Sequence, residues 1–135
     1  MLEFYTDGAF SAKRDKGGVG LVVVKNDEVV YKSSKCLENT TNNRCELYGV
    51  IKALQCVSKN VDSIKIYSDS QYVIYTITKG WQRKKNKDLW LTFDKYLKQA
   101  NQYCSNIEFI WVKGHSSNKY NNLADILAVS AYEEM

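Results

Sequence analysis

Asp7 closes a run whose side chains alternate, with Leu2, Phe4 and Thr6 on one side and Glu3, Tyr5 and Asp7 on the other. β-branched and aromatic residues at period two predict a strand. Gly8 is expected to end it, turning the backbone and leaving Asp7 open to a ligand. Three later acids stand where folding could bring them beside Asp7. Glu46 flanks an apolar helical stripe, Asp69 follows a short apolar strand, and Asp125 lies near the start of the last helix. Ordinary structural readings compete with this one. An acid in a first helical turn favours the helix dipole, which suits Glu46. An acid just before a helix can cap it, which suits Asp69.

Other chemistries fit less well. His115 is the one histidine, and cysteines 36, 45, 56 and 104 make no CxxC, so a Cys/His zinc site is not supplied. Cys45 and Cys56 would share a helix face, but eleven residues of helical rise keep them too far apart for a disulfide. Reduced, mostly packed thiols are expected. Gly17-Gly18-Val19-Gly20 fits neither GxGxxG nor GxxxxGK[ST], so it reads as a strand entry rather than a phosphate loop. Trp81 leads a segment with four cations, Arg83, Lys84, Lys85 and Lys87, which is either a phosphate contact or a solvated loop.

The elements that must hold these residues can be read in order. At 135 residues, 44% hydrophobic and 25% charged, the chain is expected to form one domain over 1–135 with a real core. The first strand is followed by a second ending at Lys25, a hairpin turn at Asn26-Asp27, and a third strand from Glu28 to Leu37, all antiparallel. Polar residues 39–45 supply caps for a helix over 43–59, with Leu47, Val50, Ile51, Leu54 and Val57 as its stripe. A strand over 62–67 should run parallel to the first. Helices follow over 71–79 and 88–103, then a strand over 106–112 and a helix over 121–132. The last helix should pack through Leu123, Ile126, Leu127 and Ser130. The net charge of +4 is compatible with a polyanionic partner. No apolar run reaches the length of about 18 residues that would span a membrane, and no basic-then-apolar leader opens the chain, which predicts a cytoplasmic location.

The order β-β-β-α-β-α-α-β-α resembles type 1 ribonuclease H. The matching pieces are Tyr5-Thr6-Asp7-Gly8, Thr41-Asn42-Asn43-Arg44-Cys45-Glu46-Leu47, Tyr67-Ser68-Asp69-Ser70-Gln71-Tyr72-Val73, and Trp111-Val112-Lys113-Gly114-His115 followed by Asn121-Asn122-Leu123-Ala124-Asp125. The resemblance implies an α/β fold: a mixed five-stranded sheet, three antiparallel strands then two parallel, flanked by helices. It implies an endonuclease that hydrolyses the RNA strand of an RNA–DNA hybrid, leaving 5′-phosphate and 3′-OH ends. It also implies two magnesium ions, with manganese a possible substitute. Magnesium is a hard cation that takes oxygen ligands, so a few carboxylates suffice, and two ions about 4 Å apart can serve both the attacking and the leaving oxygen.

In that reading Asp7 bridges the ions, Glu46 and Asp69 hold the one near the leaving oxygen, and Asp125 holds the one near the water. His115 assists proton transfer or product release without binding metal. Gly8, Asn42, Asn43 and Gln71 resemble the readers of the minor groove, where the 2′-OH distinguishes RNA. Thr41 and Arg44 resemble a pocket for a DNA-strand phosphate, Trp81 lies where relatives meet the DNA backbone, and Lys84 and Lys85 extend that contact. Such contacts touch sugar and phosphate, so little sequence specificity is expected.

Three departures stand out. The basic segment after Trp81 is short, Lys13 replaces a frequent asparagine, and Asn122 replaces a frequent acid. The chain is expected to act as a monomer without a protein partner. The alternatives are a nuclease domain of a reverse-transcriptase polyprotein and a non-enzymatic hybrid-binding module.

Overall fold

The computed structural model describes residues 1–114 and 117–133. Strands β1 (Leu2–Ser11), β2 (Lys16–Lys25) and β3 (Glu28–Glu38) are followed by α1 (Asn42–Gln55), β4 (Ile64–Ser68), α2 (Gln71–Thr78), α3 (Lys87–Asn101), β5 (Ile107–Trp111) and α4 (Lys119–Glu133). The sheet order is β3-β2-β1-β4-β5. The β1–β2 and β2–β3 pairs are antiparallel and β1–β4 and β4–β5 are parallel, as expected. Asn26 and Asp27 both take positive φ, 52° and 61°, the geometry a two-residue hairpin needs.

Both faces of the sheet are covered. Because neighbouring strand residues point oppositely, Phe4, Leu21 and Val23 bury with Leu47, Val50, Ile51, Leu54, Trp90 and Phe93 from α1 and α3. Tyr5, Val22 and Val24 bury with Ala124 of α4 on the other face. Helix α1 lies over β1 and β2, α3 against α1, and α4 across β1, β2 and β3. No described helix is long and apolar enough to cross a membrane.

Four local expectations need correction. Strand β1 does not end at Gly8 but runs on to Ser11, because Asp7 through Ser11 pair with Gly20 through Lys16. Helix α1 stops at Gln55 rather than at residue 59. Cys56 caps it, donating its N–H to the Ala53 and Leu54 carbonyls. Val57 still buries, but from beyond the helix, and Cys56, at the C-cap, is exposed while Cys45 is buried. All four cysteines are free.

On helix α4, Leu123 and Leu127 pack against the Tyr5, Val22 and Val24 cluster as expected, but Ile126 does not. Ile126 is 62% exposed, while Asn121, Ala124 and Ala128 are buried. The reason lies in β2. A side chain at Gly18 or Gly20 would collide with the carbonyls of Ala128 and Ala124, so helix backbone rests directly on strand backbone. At that separation only small residues fit between them.

Candidate active site

The parallel β1–β4 ladder ends at the Thr6–Ser68 pair. Strand β1 continues beside β2 alone, which leaves one flank of Asp7 and Gly8 without a strand neighbour. Asp7 therefore sits mid-strand, at the point where the sheet opens. Helix α1 reaches this gap because Gly8 has no side chain. A Cβ there would lie 2.5 Å from the Glu46 nitrogen and the Cys45 carbonyl carbon. Thr41 fixes where α1 begins, its Oγ1 accepting from Arg44 N at 3.2 Å. Glu46 is thus one turn into the helix and faces the gap.

Asp69 follows the last residue of β4. It does not cap α2, because Ser70 does so, accepting from Val73 N at 3.2 Å. The Asp69 carboxylate is left for other use. One oxygen each from Asp7, Glu46 and Asp69 lies within 4.8 Å of the others. Asp125 follows the Ala124 that abuts β2, on α4, and contributes to the raised pKa of Asp7. The sheet faces α1 and α4 from opposite sides, so the gap is where acids from both layers can meet.

Electrostatics follow from this crowding. Asp7 is 3% exposed and Glu46 7%. Burial, and then the charges of Glu46 and Asp69, push Asp7 up to about 11. Burial and the charge of Asp69 raise Glu46 well above its usual range. Asp7 Oδ1 accepts from Gly8 N at 2.9 Å. Glu46 Oε2 is buried with no hydrogen-bond partner. A buried polar atom left orphaned is costly, and it needs a positive partner here. An all-oxygen donor set and an orphaned carboxylate oxygen fit a hard divalent cation; they do not fit zinc of the thiolate kind.

The sign of the pH dependence is fixed by Asp7. Unfolded, it loses its proton near 3.8; folded, it keeps it up to about 11. Without divalent ions, the stability from this group is complete below 3.8 and is lost as pH rises toward 11. Melting in chelator should therefore occur at lower temperature at pH 9 than at pH 5, and magnesium should raise Tm more at pH 9. Equal magnesium shifts at both pH values would mean that Asp7 ionises freely without metal.

The expected substrate residues fall around this centre. Gly8 lines the gap, and Thr41, Asn42, Asn43 and Gln71 sit exposed at the first turns of α1 and α2. Trp81 is 48% exposed and edge-on to Tyr75. Lys84 and Lys85 are exposed. Arg83, from the same basic segment, is instead bound to Asp94 at 2.7 Å and lies over the Trp90 ring. Arg44 also has internal partners. Its guanidinium donates to both oxygens of Asp88, at 3.0 and 2.9 Å, and to Asn86 Oδ1 at 3.3 Å. No local sequence pattern links Asp88 and Asn86 to Arg44, because they join it only across the α1–α3 contact. His115 lies outside the described residues.

The family model described as RNase H matches residues 1–133. The chain belongs to the RNase H family. The Ribonuclease H of a Thermoanaerobacter species is 39% identical over 95% of this chain and 87% of its own length. The Ribonuclease HI of a Synechocystis species is 36% identical over 98% and 88%. Among solved structures, RNase H1 of the archaeon Halobacterium salinarum superposes with a TM-score of 0.80 at 25% identity, over 99% of this chain and 98% of that one. LC11-RNase H1 in complex with an RNA/DNA hybrid gives 0.81 at 21% identity with the same coverage, a likeness of fold. Sequence and fold together make this chain a ribonuclease H enzyme.

Proposed function

We propose that residues 1–135 form a single catalytic domain that cuts the RNA strand of RNA–DNA hybrids, leaving 5′-phosphate and 3′-OH ends. The observation that carries this reading is the meeting of Asp7, Glu46 and Asp69 in one gap, with Glu46 Oε2 unpartnered. Asp7, Glu46, Asp69 and Asp125 would hold the divalent ions, two of them and magnesium by preference. When bound, such ions supply an activated water and neutralise the leaving 3′ oxygen. The chain's own contribution is to keep Asp7, Glu46 and Asp69 crowded before any ion arrives, so that little rearrangement is needed on binding. His115 would move a proton or aid product release.

Substrate choice would rest on the surface around the gap. Gly8, Asn42, Asn43 and Gln71 would read the minor-groove face of the RNA strand, where the 2′-OH lies. Thr41, Arg44, Trp81, Lys84 and Lys85 would take the DNA strand. A phosphate at Arg44 would compete with Asp88 for the same donors. The LC11-RNase H1 complex supports a hybrid as the ligand. We place the enzyme in the cytoplasm as a monomer.

The test is cleavage of an end-labelled RNA paired with DNA, in magnesium, beside the same RNA alone and in an RNA duplex. Hybrid-only cutting is expected, lost with chelator and with Asp69→Asn, while the variant keeps its circular dichroism spectrum. An intact hybrid with folded wild-type protein would refute the reading. Replacing Lys84 and Lys85 by Ala should weaken hybrid binding and reduce the slope of log affinity against log salt by about 1 to 2, roughly one per lost phosphate contact. An unchanged slope would remove these lysines from the interface.

A further inference from the structure

We infer that the end of β5 sets the position of Asp69, with Trp111 and Gly114 as positioning residues; this rests on the reading of Asp69 as a metal ligand. Asp69 is a single residue between the end of β4 and the Ser70 cap of α2. A carboxylate on so short a link needs support from elsewhere. The support comes from across the strand pair. The Trp111 indole Nε1–H donates to the Asp69 carbonyl at 3.1 Å. Val112 N donates to the Ser68 carbonyl at 3.0 Å, which carries the parallel pairing one residue past β5. The Trp111 ring is itself held from α2, tilted against Tyr75 at 6.3 Å.

The side chain of Asp69 is bordered from the same segment. A methyl group at Gly114 would lie 2.7 Å from Asp69 Oδ2 and 3.6 Å from its Cβ. The missing side chain at residue 114 therefore leaves the space that one carboxylate oxygen of Asp69 occupies. One grip holds the backbone of Asp69 and one wall borders its oxygens. Trp111 bonds the Asp69 carbonyl and Gly114 borders its carboxylate, so both act through Asp69.

Trp111→Phe keeps the ring and removes the N–H, and Gly114→Ala keeps the backbone and fills the wall. Each should weaken divalent-ion binding by about tenfold to a hundredfold, the usual effect of losing a group that orients a ligand. The first readout is Tm of the hybrid-free protein against magnesium or manganese concentration, where the midpoint should move up by that factor. The second is cleavage at saturating hybrid, where the magnesium requirement should rise while the hybrid KM stays near wild type.

A purely structural role predicts something else, namely a lower Tm at every metal concentration with an unmoved midpoint. That result in both variants would overturn the inference. Asp69→Asn is the control. If it loses the metal response while both variants keep the wild-type midpoint, the inference alone fails. If Asp69→Asn keeps the wild-type response, the ligand reading fails and takes the inference with it.

Discussion

Asp7→Asn is expected to abolish hybrid cleavage, by at least about a thousandfold, and at the same time to raise the melting temperature of the metal-free protein. The two effects have one cause. Asp7 is buried where Glu46 and Asp69 also point, and it holds its proton up to about 11. Asparagine is the neutral isostere of that protonated acid. In the absence of metal it keeps the shape and the neutral state without having to take up a proton on folding. The gain should appear at neutral and alkaline pH, where the unfolded chain releases the Asp7 proton and the folded one does not. Each kcal/mol gained raises Tm by roughly 4 °C in a domain of this size. With magnesium the order should reverse, because asparagine is a poorer ligand than a carboxylate for a hard cation. Melting curves in chelator and in magnesium, beside a cleavage time course, check both halves. A variant that cuts at the wild-type rate would remove Asp7 from the chemistry. A variant that melts lower than wild type in chelator at pH 9 would show that Asp7 is not strained.

The second large effect is expected at a residue with no chemistry of its own. Gly20 pairs with Asp7 across β1 and β2. A Cβ on it would overlap the Ala124 carbonyl and stand 2.9 Å from Ala128 N. Gly20→Ala must therefore push α4 off the sheet or bend β2. Overpacking of this kind costs about 1–3 kcal/mol, and more where backbone is the obstacle. The displacement would also carry Asp125, which follows Ala124 and is proposed to hold a divalent ion. A shift of about 1 Å in a positioned group can cost a hundredfold in rate. Urea unfolding should show the lost stability, and cleavage at saturating magnesium the lost rate. Wild-type values in both would mean that α4 is free to slide, and would break the link drawn between the β2 glycines and Asp125.

Asp7, Glu46, Asp69 and Asp125 stand in runs whose order resembles a known family, and the elements around them follow local rules. Alternation of apolar residues marks β1, the Asn26-Asp27 pair marks the hairpin, and the Leu47 to Leu54 stripe marks α1. These are short-range signals, written in residue type and period, and the chain alone carries them.

What the chain alone did not carry depends on contacts between elements. Gly8 looked like a strand end. Its actual use is to let α1 approach β1, which only the partner helix reveals. Ile126 is a core candidate by its apolar size, yet it is exposed; the glycines of β2 let α4 settle on Ala124 and Ala128 instead. The pairing of Arg44 with Asp88 joins two residues 44 apart in sequence, and no local pattern links them. The same holds for the indole of Trp111 on the carbonyl of Asp69. The sequence by itself determined which acids and which elements this protein has. The tertiary structure decided where β1 loses its β4 neighbour, and so where Asp7 and Glu46 could be buried beside Asp69 with a Glu46 oxygen left without a hydrogen-bond partner.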